Sequence, residues 1–155
     1  MGLLNNLRSD PVHHLEPTLP LQVAVHCSIA GVVELMRAER VGCVLVCEDS
    51  TLVGIFTERD LLTRVLSQDV SFAQPVQDVM TPQPVTVQAQ DSIHTAVQRM
   101  ERGGYRHLPV VDEQQHPVGI VSIKQVIHYL VEHFPAIIYN LPPDPDAIPH
   151  QREGA

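Results

Sequence analysis

The chain has 155 residues, 44% of them hydrophobic and 4% aromatic, with no Trp and a formal net charge of −8; this fits one compact unit with an aliphatic core. Such acidity argues against a surface for duplex nucleic acid or for an anionic membrane, since both need clustered Lys and Arg. No apolar run approaches the ~20 residues of a membrane helix, and the N-terminus MGLLNNLRSD has neither the apolar stretch nor the cleavage site of a signal peptide.

Residues 1–10 read as a lead, with Asn6 where N-myristoylation asks for Ser or Thr. A first unit, residues 11–74, opens with PVHHL at Pro11 and continues into a short strand with Val23 and Val25 on one face. Ser28 is placed to cap a helix whose apolar residues Ile29, Val32, Val33 and Met36 recur at i, i+3, i+4 and i+7. Two β-rich runs follow, GCVLVC and LVGIFT, separated by the polar turn EDST. A last helix carries Leu61, Leu62, Val65 and Leu66. The three cysteines, Cys27, Cys43 and Cys47, include no Cys-x-x-Cys pair. They read as small buried hydrophobes in a reducing cytosol.

A second unit, residues 75–138, repeats the first. PVQDV at Pro75 answers PVHHL, and Val85 and Val87 answer Val23 and Val25. Asp91 stands as the helix cap, followed by Ile93, Ala96, Val97 and Met100 at the same spacing. The runs HLPVVD and VGIVS flank EQQH, and a last helix carries Val126, Ile127, Leu130 and Val131. Each unit is therefore β-α-β-β-α, and the fold class is α+β. A unit of ~60 residues buries too little surface to be comfortable alone, so two sheets sharing one core about a pseudo-twofold axis is the expected solution. Residues 139–155 hold Pro142, Pro143, Pro145 and Pro149 and read as an extended or partly disordered tail that docks only near Ile137, Ile138 and Tyr139.

The candidate site lies where the third strand of each unit meets its last helix. The first corner is GIFTERD, Gly54 to Asp60; the second is GIVSIKQ, Gly119 to Gln125. Two readings stand side by side. Thr57-x-x-Asp60 and Ser122-x-x-Gln125 both match a capping box, which needs no ligand. Alternatively, a Gly that admits close approach, a hydroxyl at a helix start and a carboxylate for a vicinal diol together describe a nucleotide corner. Only the first corner has all three. Nine histidines show no i, i+4 pairing: His13 and His14 are adjacent, and His128 and His133 are five apart, so no metal site is expected. No nucleophile has both an oriented base and a third group, so no enzyme is expected.

Taken together these residues resemble a tandem pair of CBS domains, the module named for cystathionine beta-synthase. The likeness runs through VELMRAERVGCVLVCEDSTLVGIFTERDLL and VMTPQPVTVQAQDSIHTAVQRMERGGYRHLPVVDEQQHPVGIVS, and covers residues 11–134. The resemblance implies repeats packed through their sheets into a disc, frequent dimerisation, and an adenosine ligand such as AMP, ADP, ATP or S-adenosylmethionine held between repeats. Mg would enter only with ATP. It also implies that Thr57 contacts phosphate or ribose and that Asp60 holds the ribose hydroxyls. Arg106, His107 and Lys124 would reach the same ligand from the partner repeat. The second corner offers Ser122 with Gln125 in place of the acid, facing the uncharged Val41 and Gly42, so one dominant site is expected. Lacking an effector domain of its own, the chain would signal through an unknown partner protein or through self-association. Leu35 beside Met36, and Leu61 beside Leu62, exceed one apolar stripe and point to a homodimer. The rival is a ligand-free dimeric scaffold whose corners only cap helices.

Overall fold

The computed structural model describes residues 2–134, apart from the Leu3 side chain. The tail 139–155, with Ile137 and Ile138 before it, lies outside the described residues.

Helix α1 (Gly2–Ser9) and a 3-10 turn (Val12–Leu15) precede the first half. That half comprises β1 (Gln22–Ala24), α2 (Ile29–Glu39), β2 (Cys43–Glu48), β3 (Thr51–Thr57) and a last helix starting as α3 (Glu58–Asp60). A 3-10 turn (Val76–Asp78) and β4 (Thr81–Pro82) lead to α4 (Ile93–Gly103), β5 (His107–Val111), β6 (Pro117–Ser122) and α5 (Ile123–His133).

The first sheet has the order β1-β2-β3-β4, with β1 parallel to β2 and the other pairs antiparallel. The second sheet repeats this order with its outer members reduced to single bridges: Val87 parallel to Val110 beside β5, and Thr18 antiparallel to Ile120 beside β6. The expected strand through Val85 and Val87 is thus one bridge long, and Val85 is exposed. Val87 N–H donates to Pro109 O at 3.0 Å and Val87 O accepts from Val111 N–H at 2.9 Å, but Pro109 has no N–H to extend the ladder toward Val85.

Local signals set the helix ends. Ser28 Oγ accepts from Gly31 N–H at 3.1 Å and caps α2 as expected. For α4 the cap is Ser92, which accepts from Thr95 N–H at 3.0 Å. Asp91, expected there, instead accepts from Gln88 N–H at 2.8 Å and turns the chain before the helix. The last helix of the first half departs from the α pattern. From Leu61 to Leu66 it widens to a π turn, with Ser67 N–H on Leu62 O and Val70 N–H on Val65 O, both at 3.0 Å. The Thr63 hydroxyl donates to Arg59 O at 2.8 Å and so competes for an acceptor that the α ladder would use.

The two cores interlock. Ile29, Val32, Met36, Val44, Val46, Phe56 and Val65 form the first, and Val76 and Val79 from the lead of the second repeat complete it. The second core takes Ile93, Ala96, Met100, Leu108, Val110, Val121, Val126 and Tyr129, and is completed by Val12 and Leu15 from the lead of the first repeat. Each repeat's lead therefore packs into the other repeat's half. Strand β2 is covered on both faces. Val44 and Val46 lie in the first core, while Cys43, Leu45 and Ile55 meet Ile120 of the second half. That layer, which includes Cys43, joins the halves.

Candidate functional site

At the first corner, Thr57 leaves β3 extended (φ −119, ψ 168) and the chain turns at once into α3. Thr57 Oγ1 accepts from Asp60 N–H at 3.2 Å, and Asp60 Oδ2 accepts from Thr57 N–H at 3.0 Å, which completes a capping box. The other carboxylate oxygen, Oδ1, accepts from the Thr81 hydroxyl at 3.0 Å and lies 3.4 Å from Arg64 Nε. Asp60 is 5% exposed, and among the described residues no other charged side chain is buried.

The second corner repeats the cap with different chemistry. Ser122 Oγ accepts from Gln125 N–H at 3.3 Å, and Gln125 Oε1 accepts from Ser122 N–H at 2.7 Å. The Gln125 amide nitrogen then donates to Glu16 O at 2.8 Å and, more weakly, to Leu15 O at 3.4 Å. This accounts for the missing acid. In both corners the third helical residue ties down the other repeat's lead. Thr81 presents a hydroxyl donor, which a carboxylate accepts; Leu15 and Glu16 present carbonyls, which only a donor can satisfy.

The glycines serve the same crossing. A Cβ on Gly54 would collide with the Met80 side chain, and one on Gly119 would lie 2.7 Å from Pro17 Cβ. The close approach at Gly54 is that of the chain's own lead. The position calls for a residue without Cβ for space rather than for φ, since Gly54 lies within β3.

Between the corners the halves meet. Glu58 N–H donates to Gly42 O at 3.1 Å, and its counterpart Ile123 N–H donates to Arg106 O at 3.0 Å. His107 pairs with Ser122 in the β5–β6 ladder, as Cys43 pairs with Thr57 in β2–β3. A Cβ on Gly42 would stand 3.2 Å from Glu58 Oε1 and 3.8 Å from His107 Cε1. His107 of the second half thus reaches the Thr57–Asp60 turn of the first. Its imidazole is held below the usual histidine range. Burial is the largest cause, and the charges of Arg106 and Lys124 act in the same direction while Glu58 opposes them. Burial, with a smaller push from Glu58, raises the Cys43 thiol to about 11, so it stays protonated. Arg106 and Lys124 are exposed, and neither joins an ion pair among the described residues.

Of the residues singled out from sequence, Thr57 and Asp60 share one capped turn, and His107 lies at the seam beside it, with the charges of Arg106 and Lys124 acting on its ring. Gly54 faces Met80, and Ser122 belongs to the second corner. Sequence reasoning missed Glu58 and Thr81. Beside the second corner, a cavity of about 240 Å³ is lined by His13, His14, Gln125, His128 and His133 among others. Among the described residues, no three His, Cys, Asp or Glu side chains are grouped to hold a metal ion. Nor is any helix there long and apolar enough to cross a membrane.

The CBS domain family model matches residues 6–67 and 76–132. Meiotically up-regulated gene 70 protein of Schizosaccharomyces pombe is 34% identical over 105 residues, which is 67% of this chain and 14% of that protein. A CBS domain-containing protein of Arabidopsis thaliana is 32% identical over 117 residues, 75% of this chain and 21% of the relative. The chain thus spans under a quarter of the length of either curated relative. A CBS domain protein from Pyrobaculum aerophilum, solved in complex with AMP, aligns at TM-score 0.69 and 26% identity over 75% of this chain and 89% of that one.

Proposed function

This chain belongs to the CBS domain family, and on that premise we propose that it is a regulatory module holding an adenosine phosphate (AMP, ADP or ATP) between its two repeats. The observation that carries this reading is the meeting of an acid corner from one half with cations from the other. Asp60, buried and oriented by Thr57, offers carboxylate oxygens to a ribose diol, with the Thr81 hydroxyl as the donor a sugar hydroxyl would replace. Thr57 supplies a hydroxyl, Arg106 and Lys124 positive charge, and His107 a ring N–H for phosphate. The basic trio favours a phosphate ligand over the cationic sulfonium of S-adenosylmethionine. Mg enters only with ATP. The crystallised AMP complex of the relative supports the adenosine class.

Output runs through a partner protein or through self-association. The last helices expose Leu62 (60%), Leu66 (55%), Ile127 (54%), Ile123 (43%) and Val131 (42%), a surface suited to a second copy of the chain. One observation favours the scaffold reading instead: both Asp60 oxygens already have partners within the chain.

Thermal unfolding with AMP, ADP, ATP and S-adenosylmethionine separates the two readings. A phosphate ligand at ~100 times its Kd adds about 2.7 kcal/mol, or roughly 5–10 °C for a chain of this size. No shift with any of the four at millimolar concentration would leave the scaffold.

A further inference from the structure

One charged group beside the proposed phosphate position has the wrong sign. Glu58 is the first residue of α3, fixed there by its N–H on Gly42 O at 3.1 Å. Its carboxylate and the His107 ring flank one point, the place a Gly42 Cβ would occupy, at 3.2 and 3.8 Å. Arg106 precedes His107, and Lys124 is the second residue of α5. The charges of Glu58, Arg106 and Lys124 all reach that ring. Yet Glu58 forms no ion pair among the described residues, so it stands among cations without being locked to one. The helix start does not require an acid either, because the matching residue of the second corner is the exposed Ile123.

Resting on the adenosine-phosphate reading above, we propose that Glu58 is a specificity-determining residue that selects monophosphate over di- and triphosphate. Its carboxylate acts on the same His107 ring as the cations that a ligand phosphate would use. It therefore competes for their field and repels the ligand in proportion to the ligand's charge. The uncharged nucleoside feels none of this. Like charges ~7 Å apart at an effective dielectric of ~30–40 repel enough to change affinity about tenfold. The exposure of Glu58 places the effect at or below that figure and makes it dependent on salt.

The test is calorimetric titration of the full chain and of Glu58→Gln with adenosine, AMP, ADP and ATP, at low salt and at 0.5 M NaCl. Glu58→Gln should bind AMP roughly three- to tenfold more tightly and gain more for ADP and ATP. Adenosine should be unchanged, and the gains should shrink in high salt. Glu58→Asp should keep the discrimination. An equal gain for adenosine, or no gain for any phosphate, overturns the proposal while leaving the nucleotide reading intact. Failure of both proteins to bind any of the four removes that reading, and this one with it. If Glu58→Gln does not fold, Glu58→Ile, which copies the second corner, takes its place.

Discussion

Gln125→Glu isolates the clamp from the cap. Glutamate suits the third position of a capping box at least as well as glutamine, so the bond from Ser122 N–H, 2.7 Å long in the native chain, should survive. What is lost is the donor. The amide nitrogen that serves Glu16 O at 2.8 Å and Leu15 O at 3.4 Å becomes an oxygen facing two carbonyls. A typical net hydrogen bond contributes about 0.5–1.5 kcal/mol, and an acceptor left unpaired costs about 1–3. Glu16 is exposed, so water can serve its carbonyl, and a cost of about 1–2 kcal/mol follows. At ~2–4 °C per kcal/mol for this chain length, the melting temperature at pH 7 should fall by about 2–8 °C. Because Val12 and Leu15 complete the second core, hydrogen exchange should speed up first in residues 11–16 and in the amides they cover. Acidification through the carboxyl's pKa restores a donor and should recover part of the loss relative to the wild type. An unchanged or raised melting temperature at pH 7 would refute the idea that Gln125 holds the lead of the first repeat.

Asp60→Gln should weaken AMP binding roughly ten- to several-hundred-fold, since a hydrogen bond to a charged group contributes about 1.5–3 kcal/mol and a diol can make two; unaltered affinity by calorimetry would make Asp60 a structural residue alone. The same variant should also melt lower without ligand, because Thr81 and Arg64 lose their acceptor. His107 has a folded pKa below its unfolded value. Its contribution to stability is therefore fully present above about pH 6.5 and is lost as pH falls through the folded pKa. Phosphate beside it would raise that pKa, so AMP binding near pH 6.5 should take up protons, seen as a buffer-dependent heat, and His107→Asn should abolish the uptake. Arg40 ends α2 in the left-handed region at φ 55, where α4 uses Gly104 at φ 68. Arg40→Gly should accordingly stabilise the chain by up to about 1 kcal/mol in denaturant melts, and destabilisation would contradict the backbone argument.

The repeat was legible in the sequence because it rests on local periodicity. Ile29, Val32 and Met36 at helical spacing, and the apolar β-rich runs that become β2 and β3, are requirements written residue by residue. The capping boxes at Thr57 and Ser122 were legible for the same reason, since their partners lie three positions apart. A shift of one residue at a cap, from Asp91 to Ser92, shows the limit of such signals: two adjacent residues can both accept, and the loop geometry chooses between them. The second β-α-β-β-α unit lost most of its first strand because Pro109 in the neighbouring β5 has no N–H to extend the ladder past Val87, which a pattern of alternate valines does not reveal. Only the tertiary structure decided that the leads cross, with Val12 and Leu15 completing one core and Val76 and Val79 the other. Sequence order alone assigns each lead to the repeat it precedes, whereas burial of its apolar residues depends on which half has room. The same crossing settles why one corner carries an acid and the other an amide, because the choice follows from whether the lead arrives with a hydroxyl or with carbonyls. Nor could the sequence bring Glu58 and His107 to one point over Gly42. They are 49 positions apart in different halves, and a residue without a side chain at the seam is what lets a carboxylate and an imidazole share that space.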